Sequence, residues 1–256
     1  MMRKSWLLGL SLAVLTACSG GKVGSQGVKP NYSQAYEDYL ALGVQYVQIG
    51  RYDLAEPRLK RAIEINSEPP EAWNVLAVLY EEKRDIASGY QIYEKLINSH
   101  PDYALGYQNF ATFLCKFERE PERVALYQRM RAKNADFQIL SYIIEGDCLV
   151  SRKDERGAEI AYKQAVQIAS AIANPIPPIA NNALLPLAQL AQQRGDNQSA
   201  LGYIRILHTQ IGYSAESVAI AIYAARALGD RVLEDEMMRV MRANYHETEQ
   251  ARELGL

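Results

Sequence analysis

A repeat of 34 residues runs through most of this 256-residue chain and restricts what the chain can fold into. In the first two copies, large residues occupy the fourth, seventh and eleventh places, and small residues occupy the eighth and twentieth. Small residues at those places let two helices approach closely, and the large residues fill the seams between them. Val and Ile rarely alternate with polar residues as a strand would require, so the pattern predicts pairs of helices. The aligned positions are Tyr39, Leu42, Gly43, Tyr46, Ala55 and Leu59 in the first copy and Trp73, Leu76, Ala77, Tyr80, Gly89 and Tyr93 in the second.

This spacing resembles the tetratricopeptide repeat (TPR), a helix–turn–helix unit of 34 residues. One unit cannot bury its apolar face alone, so stacked units share one core. The resemblance therefore predicts an all-α fold over 32–256, a right-handed TPR solenoid of about six repeats. The third and sixth repeats are weak, with Arg123 and Ile222 where small residues are expected. We expect the repeats near 36–69, 70–103, 104–138, 139–172, 181–214 and 215–248.

One segment breaks the period between the fourth and fifth repeats. Residues 173–181, with the sequence ANPIPPIAN, contain three prolines. Proline removes a backbone donor and clashes with the preceding helical turn, so this insert of about eight residues should not be helical.

The first residues have the layout of a secretory signal. Arg3 and Lys4 precede a short apolar run that ends in small residues before Cys18. The run is too short to span a bilayer comfortably, since a spanning helix needs roughly 20 apolar residues. Residues 15–18, Leu-Thr-Ala-Cys, resemble the bacterial lipobox, in which the cysteine is lipidated after cleavage. We predict a signal peptide at 1–17, a lipidated Cys18 and a Gly/Ser-rich tether over 18–31; the alternative is an ordinary signal peptide that ends in Cys.

Several function classes find no support in the sequence. The three histidines make no metal-ligand spacing with each other or with cysteine. No phosphate-binding loop, nucleophile elbow or His-Glu metal motif occurs, so we expect no enzyme, no cofactor and no small-molecule substrate. The formal net charge of −2 comes without a basic run, which argues against nucleic acid as a partner.

The repeat pattern also predicts a binding groove. The first helix of each repeat lines the concave side of a TPR solenoid, at places two, five, nine, twelve and thirteen. The fifth repeat presents Gln189, Gln192 and Gln193 there, a polar wall, whereas the first two repeats are more apolar. Contiguous apolar surface usually marks a binding site, although these aliphatic residues could simply pack against neighbouring helices. The candidate groove residues are Leu40, Val44, Val47, Asn74, Val78 and Glu81.

Cys115 and Cys148 occupy nearly equivalent places on the first helices of repeats three and four. In an oxidising compartment such a pair can form a disulfide. Two buried free thiols are the alternative.

The lipobox, the tether and six TPR units together resemble the PilW/PilF family of type IV pilus biogenesis and stability lipoproteins. The resemblance covers the whole chain and includes the paired cysteines. It implies a pilotin-like role: anchoring to the outer membrane through lipid, facing the periplasm, and binding the pilus secretin to promote its localisation and multimerisation, or pilus stability. The alternative is a periplasmic adaptor lipoprotein that scaffolds peptidoglycan enzymes or outer-membrane assembly factors.

Overall fold

Helix pairs joined by short turns make up the part of the chain from residue 32 onward. The computed structural model describes residues 32–256, and within that range it contains thirteen α-helices, one 3₁₀ turn and no strand. Cys18, the predicted signal peptide and the predicted tether all lie outside the described residues. The helices are α1 (Tyr32–Gln48), α2 (Tyr52–Ile65), α3 (Pro70–Glu82), α4 (Ile86–Ser99), α5 (Ala104–Lys116), α6 (Glu120–Arg131), α7 (Ala135–Ser151), α8 (Glu155–Ile172), α9 (Asn181–Gln193), α10 (Asn197–Ile211), α11 (Ala215–Leu228), α12 (Arg231–Asn244) and α13 (Glu249–Glu253), with the 3₁₀ turn at Pro178–Ala180.

The same tight turn joins the two helices of every repeat. Its middle residue has a positive φ, and the next residue donates its backbone N–H to a carbonyl five residues back, as Asp85 does to Tyr80 at 2.9 Å. This is a helix C-terminus closed by a left-handed residue, for which glycine is the usual choice. Three turns use glycine and three do not. The left-handed residues are Gly50, Arg84, Glu118, Lys153, Gly195 and Gly229.

The first helix of each repeat lies on the inner side of the stack. Helices α1, α3, α5 and α7 contact one another in succession, as do α9 and α11, whereas the second helices make no comparable contacts among themselves. A stack whose first helices are closer together than its second helices curves toward the first helices. We call α1, α3, α5, α7, α9 and α11 the inner helices and their exposed side the inner face.

Small residues bring the paired helices together, as the repeat pattern predicts. A Cβ at Gly146 would lie 2.5 Å from the Tyr162 ring, so only glycine leaves room for that ring. Tyr162 and its counterparts Tyr93 and Tyr127 are fully or almost fully buried. The all-α TPR solenoid expected from the sequence is confirmed.

In the weak third repeat, Arg123 occupies the twentieth place, where the repeat pattern expects a small residue. Arg123 is only 6% exposed, and its guanidinium carbon lies 5.5 Å from the centroid of the Tyr127 ring. A charged group over an aromatic face gains electrostatic attraction from the ring quadrupole. The side chain is therefore accommodated within the helix pair. Sequence reasoning identified the exception and not how it is packed.

The insert is packed into the solenoid. Helix α8 ends at Ile172 and α9 begins at Asn181. The proline-containing segment between them forms no α-helix and includes a single 3₁₀ turn at Pro178–Ala180. This turn touches α7, α8 and α9. Ala180 is fully buried, and Ile176 and Ile179 are half-buried against the core. The insert thus lies between two inner helices that would otherwise be direct neighbours.

Helix α13 packs after the sixth repeat. Glu249 lies 34 residues after Ala215, which begins α11, so α13 takes the place of the first turns of a seventh inner helix. Ala251 is fully buried in the same cluster as Met237 and Met241 of α12. Leu254 and Leu256 also pack against this cluster.

Candidate functional site

The candidate groove lies on the inner face of repeats one to three. The ninth place of these repeats holds Val44, Val78 and Thr112, one on each of α1, α3 and α5. Both valines are half-buried and the threonine is exposed, and Val78 also packs against the cluster that contains Tyr107 and Phe110. The apolar row predicted from the sequence is therefore partly accessible at Val44 and Val78.

Leu40 and Val47 contribute more to packing than to open surface. Both are half-buried and pack against the cluster that contains Leu59, Leu76 and Tyr80. Their side chains line the inner face and at the same time join the first two repeats. They remain candidate groove residues, at positions where substitution would also disturb the core.

Asn74 is 8% exposed and paired across the repeat boundary. Asn109 of α5 donates its Nδ2 to the Oδ1 of Asn74 at 2.9 Å. A buried amide needs such a partner, since an unpaired polar group costs about 1–3 kcal/mol. The pair connects α3 with α5 under the inner face.

Glu81 is bound by residues of two other helices. Lys116 of α5 donates to its Oε1 at 2.8 Å, and the Tyr93 hydroxyl of α4 donates to its Oε2 at 3.2 Å. Lys116 also lies 3.7 Å from Glu82. Burial and the neighbouring Glu81 raise the pKa of Tyr93 well above its usual value. Glu81 therefore links repeats two and three at the end of the groove.

Exposed carboxylates border the groove where the inner helices begin. Glu37 and Glu71 occupy the second place of repeats one and two, and both are exposed. Both lie near Tyr36: burial, with a contribution from these two carboxylates, raises the pKa of Tyr36 to about 12. This edge of the inner face is therefore negatively charged.

The insert covers one edge of the inner face at the fourth repeat. Leu140 and Ile143 of α7 stand at the second and fifth places, which are groove places in the other repeats, yet they are 6% and 4% exposed. Ile179 of the insert packs against the clusters that contain these two residues. The groove predicted from the repeat pattern is thus covered at the second and fifth places of repeat four, whereas Asp147 at the ninth place and Val150 at the twelfth are exposed.

Beyond the insert the inner face is polar, as the glutamines predict. Gln189 donates to Glu216 of the sixth repeat. Gln192 is half-exposed and Gln193 is exposed. Tyr223 of α11, at the ninth place of the last repeat, packs partly against the core.

Cys115 and Cys148 are joined by a disulfide, with their Cα atoms 5.9 Å apart. The bond connects the last turn of α5 with α7, beside the inner face, and Cys148 is buried. The Sγ of Cys115 lies 3.7 Å from the hydroxyl of Ser151. Repeats three and four are therefore covalently linked in the structure.

Sequence reasoning missed a recurring ion cluster between repeats. Glu56 of α2 accepts from Lys60 and from Lys83 of the next repeat, each at 2.7 Å. At the equivalent place Glu159 of α8 binds Lys163 and Arg194. Hydrogen bonds from these cations lower the pKa of both glutamates to about 2. A signal was present, since Glu56 and Glu159 share place 21 and their partners Lys83 and Arg194 share place 14.

The described residues lack two features that would point to other roles. No cluster of His, Cys, Asp and Glu within 32–256 could hold a metal ion. None of the helices in this range has the length and hydropathy needed to cross a membrane.

Comparison with known proteins agrees with the resemblance seen in the sequence. No protein-family model matches the chain. The type IV pilus assembly protein PilF of Pseudomonas aeruginosa is 25% identical over 200 residues, which are 77% of this chain and 76% of PilF.

Two solved structures share the fold. The structure of Pseudomonas aeruginosa PilF is 20% identical, with a TM-score of 0.54 over 88% of this chain and 98% of that one. The structure of PilW, a widely conserved type IV pilus biogenesis factor, is 19% identical, with a TM-score of 0.57 over 87% and 99% of the two chains. The resemblance to PilW and PilF is confirmed.

Proposed function

We propose that this chain is an outer-membrane lipoprotein of type IV pilus biogenesis. In this role Cys18 carries the lipid, the solenoid faces the periplasm, and the inner face binds the pilus secretin and promotes its localisation and multimerisation. The alignment with PilF carries this proposal because it extends over three quarters of both chains. A match of that extent involves most of the repeats rather than a single TPR unit.

The inner face supports a binding role. Val44 and Val78 are partly accessible, and charged and amide groups surround them. TPR solenoids present such concave surfaces to protein partners, and apolar surface bordered by polar groups is typical of protein contact sites.

Deletion of the gene tests the proposal. We expect loss of the heat- and detergent-resistant secretin multimers and of twitching motility. Re-expression of the intact chain should restore both, and a Cys18→Ser variant should not restore the multimers at the outer membrane. Persistent multimers together with a defect in cell shape or envelope integrity would instead support the adaptor role.

A surface variant tests the groove. Val44→Asp places a charge on the inner face at a half-exposed site, so the solenoid should stay folded while secretin assembly fails. Ile160→Asp is the matched control, because Ile160 is 56% exposed on the second helix α8. Equal secretin assembly in the two folded variants would remove Val44 from the site.

A further inference from the structure

Resting on the proposed function, we infer that the docked secretin segment is a short extended stretch of about nine residues, with apolar side chains flanked by Lys or Arg, lying across α1, α3 and α5 and ending at the insert. Three features of the described residues lead to this inference: the charge of the inner helices, the apolar row between the charges, and the covered surface at repeat four.

Charge is distributed unevenly between the inner helices and the rest of the chain. The whole chain has 28 basic and 30 acidic residues, so it is nearly neutral. Helix α1 has two carboxylates and α3 has three, and neither contains a lysine or an arginine. In α5 the single cation is Lys116, which is already bound to Glu81 and Glu82. The carboxylates of the first two inner helices are Glu37, Asp38, Glu71, Glu81 and Glu82.

The exposed carboxylates Glu37 and Glu71 have no salt-bridge partner among the described residues. Their negative potential would favour a positively charged segment and disfavour an acidic one, since complementary charge mainly sets specificity and association rate. An acidic or neutral partner would leave this edge without a counter-charge.

The apolar row gives such a segment something to bury. Val44 and Val78 are half-exposed at the centre of the inner face, between the carboxylates at the start of the helices and Glu81 and Glu82 at their ends. An extended chain directs alternate side chains to opposite sides, so apolar residues could contact the valines while the basic residues between them reach the edges.

The insert limits the length of a segment that lies along the edge where the inner helices begin. Leu140 and Ile143 are buried on the inner face of α7, and Ile179 packs against the clusters that contain them. Three neighbouring helices, each 8–10 Å from the next, present a surface roughly 30 Å wide. At about 3.3 Å per residue this accommodates about nine extended residues.

Binding of labelled peptides tests the inference. The probes are fluorescein-labelled nine-residue peptides that tile the secretin subunit, measured by anisotropy against the full-length lipoprotein in detergent. We expect binding of a peptide that combines apolar residues with at least two lysines or arginines. The Glu37→Lys/Glu71→Lys double variant should weaken that binding by on the order of tenfold or more, and exchanging the peptide's basic residues for glutamate should restore it.

The control variant is Glu155→Lys/Glu236→Lys. It changes the net charge by the same amount at two exposed sites on the second helices, and Glu155, like Glu71, lies in the first turn of its helix. Equal loss of affinity in both double variants would overturn the inference, because the effect would then be one of overall charge. Tight binding of an acidic or uncharged peptide would also overturn it while leaving the secretin as partner.

Two further outcomes separate the inference from the proposed function. Lengthening the bound peptide beyond about nine residues should gain little affinity, whereas a steep gain up to fifteen residues would show that the segment continues past the insert. The intact secretin subunit is tested first. If it does not bind the wild-type lipoprotein, the proposed function falls and the inference falls with it.

Discussion

The third and fifth repeats build the same turn from different residues. In both, the middle residue is left-handed, Glu118 in one and Gly195 in the other, and the next residue donates its N–H to a carbonyl five residues back. In the fifth repeat Asp196 then caps α10 by accepting from the N–H of Ser199 at 3.1 Å. In the third repeat Arg119 stands at that place and its side chain forms no cap.

The comparison shows that neighbouring repeats impose a turn that the local residues disfavour. The third repeat has other sources of stability nearby. Cys115, whose carbonyl accepts the N–H of Glu118, is bonded to Cys148 of the next repeat. Phe113 packs against Phe117 with ring centroids 4.9 Å apart. In the fifth repeat the turn residues themselves stabilise the turn. In the third repeat the disulfide to the next repeat and the packing of Phe113 against Phe117 stabilise it.

Loss of the disulfide should have the largest effect. The bond closes a loop with a sequence separation of 33 residues, and in the chain-entropy model such a loop contributes about 3–4 kcal/mol. We expect Cys115→Ala/Cys148→Ala to lower the free energy of unfolding by that amount, as measured by urea denaturation. A reducing agent should destabilise the native chain equally and leave the double variant unchanged. An unchanged urea midpoint in the double variant would show that the third repeat does not depend on the bond.

Exchanging the left-handed residues of the two turns should change the stability of the chain in opposite directions. A residue with a Cβ in this conformation costs roughly 1–2 kcal/mol relative to glycine. Glu118→Gly should therefore stabilise the chain by about 1 kcal/mol, and Gly195→Ala should destabilise it by a similar amount. No atom lies within 4 Å of a Cβ placed at Gly195, so backbone strain alone is responsible. Thermal unfolding of the two variants measures both signs, and a loss in both would contradict the comparison.

The N-cap of the second helix should stabilise the fifth repeat more than the third. Asp196→Ala removes the acceptor for the Ser199 N–H and should cost about 1 kcal/mol. Arg119→Ser supplies the missing acceptor in the third repeat and should gain about 0.5 kcal/mol, since it also removes the exposed ion pair with Glu122. Chemical denaturation of the single variants is the measurement. A cost at both sites would mean that Arg119 contributes more through its contacts than a cap would.

The junctions between repeats should respond differently to acid. The folded-state pKa of Glu159 is about 2, below the usual 4.5, because Arg194 and Lys163 bind its carboxylate. Its contribution is present above pH 4.5 and is lost as the pH falls toward 2. Since both cations are about half exposed, we expect less than 1 kcal/mol from this cluster.

Arg194→Gln tests that contribution. It should reduce the fall in stability between pH 4.5 and 2, as followed by urea unfolding at several pH values. Arg152→Gln is the control at the junction of repeats three and four, where Arg152 and Glu120 are exposed and 3.9 Å apart. A pH profile that changes equally in both variants would contradict the difference between the junctions.

The sequence was enough to predict the fold class, because period and residue size directly determine how helices pair. It also indicated that Arg123 departs from the repeat pattern and that residues 173–181 interrupt the period. It did not show that Arg123 packs over Tyr127 or that Ile179 reaches α7, because both depend on how consecutive helices are placed in space. The proposed lipid at Cys18 stays a prediction.

The candidate site was predictable only in part. Place within the repeat predicted that Val44 and Val78 lie on the inner face. It could not distinguish them from Asn74, which is buried against Asn109, or from Glu81, which is engaged by Lys116. Those differences arise from partners 35 residues away, one repeat further along the chain. The ion clusters of Glu56 and Glu159 were missed for the same reason.

Helix α13 has a consequence for how copies of this chain can meet. A solenoid whose final repeat leaves its apolar side bare offers the same kind of surface that joins its own repeats, and copies could then add end to end without closing. Ala251, Leu254 and Leu256 cover that side of the sixth repeat and contribute to its core. Opening this cover, for example with Ala251→Asp, would expose the apolar side of the sixth repeat to solvent and to other copies of the chain.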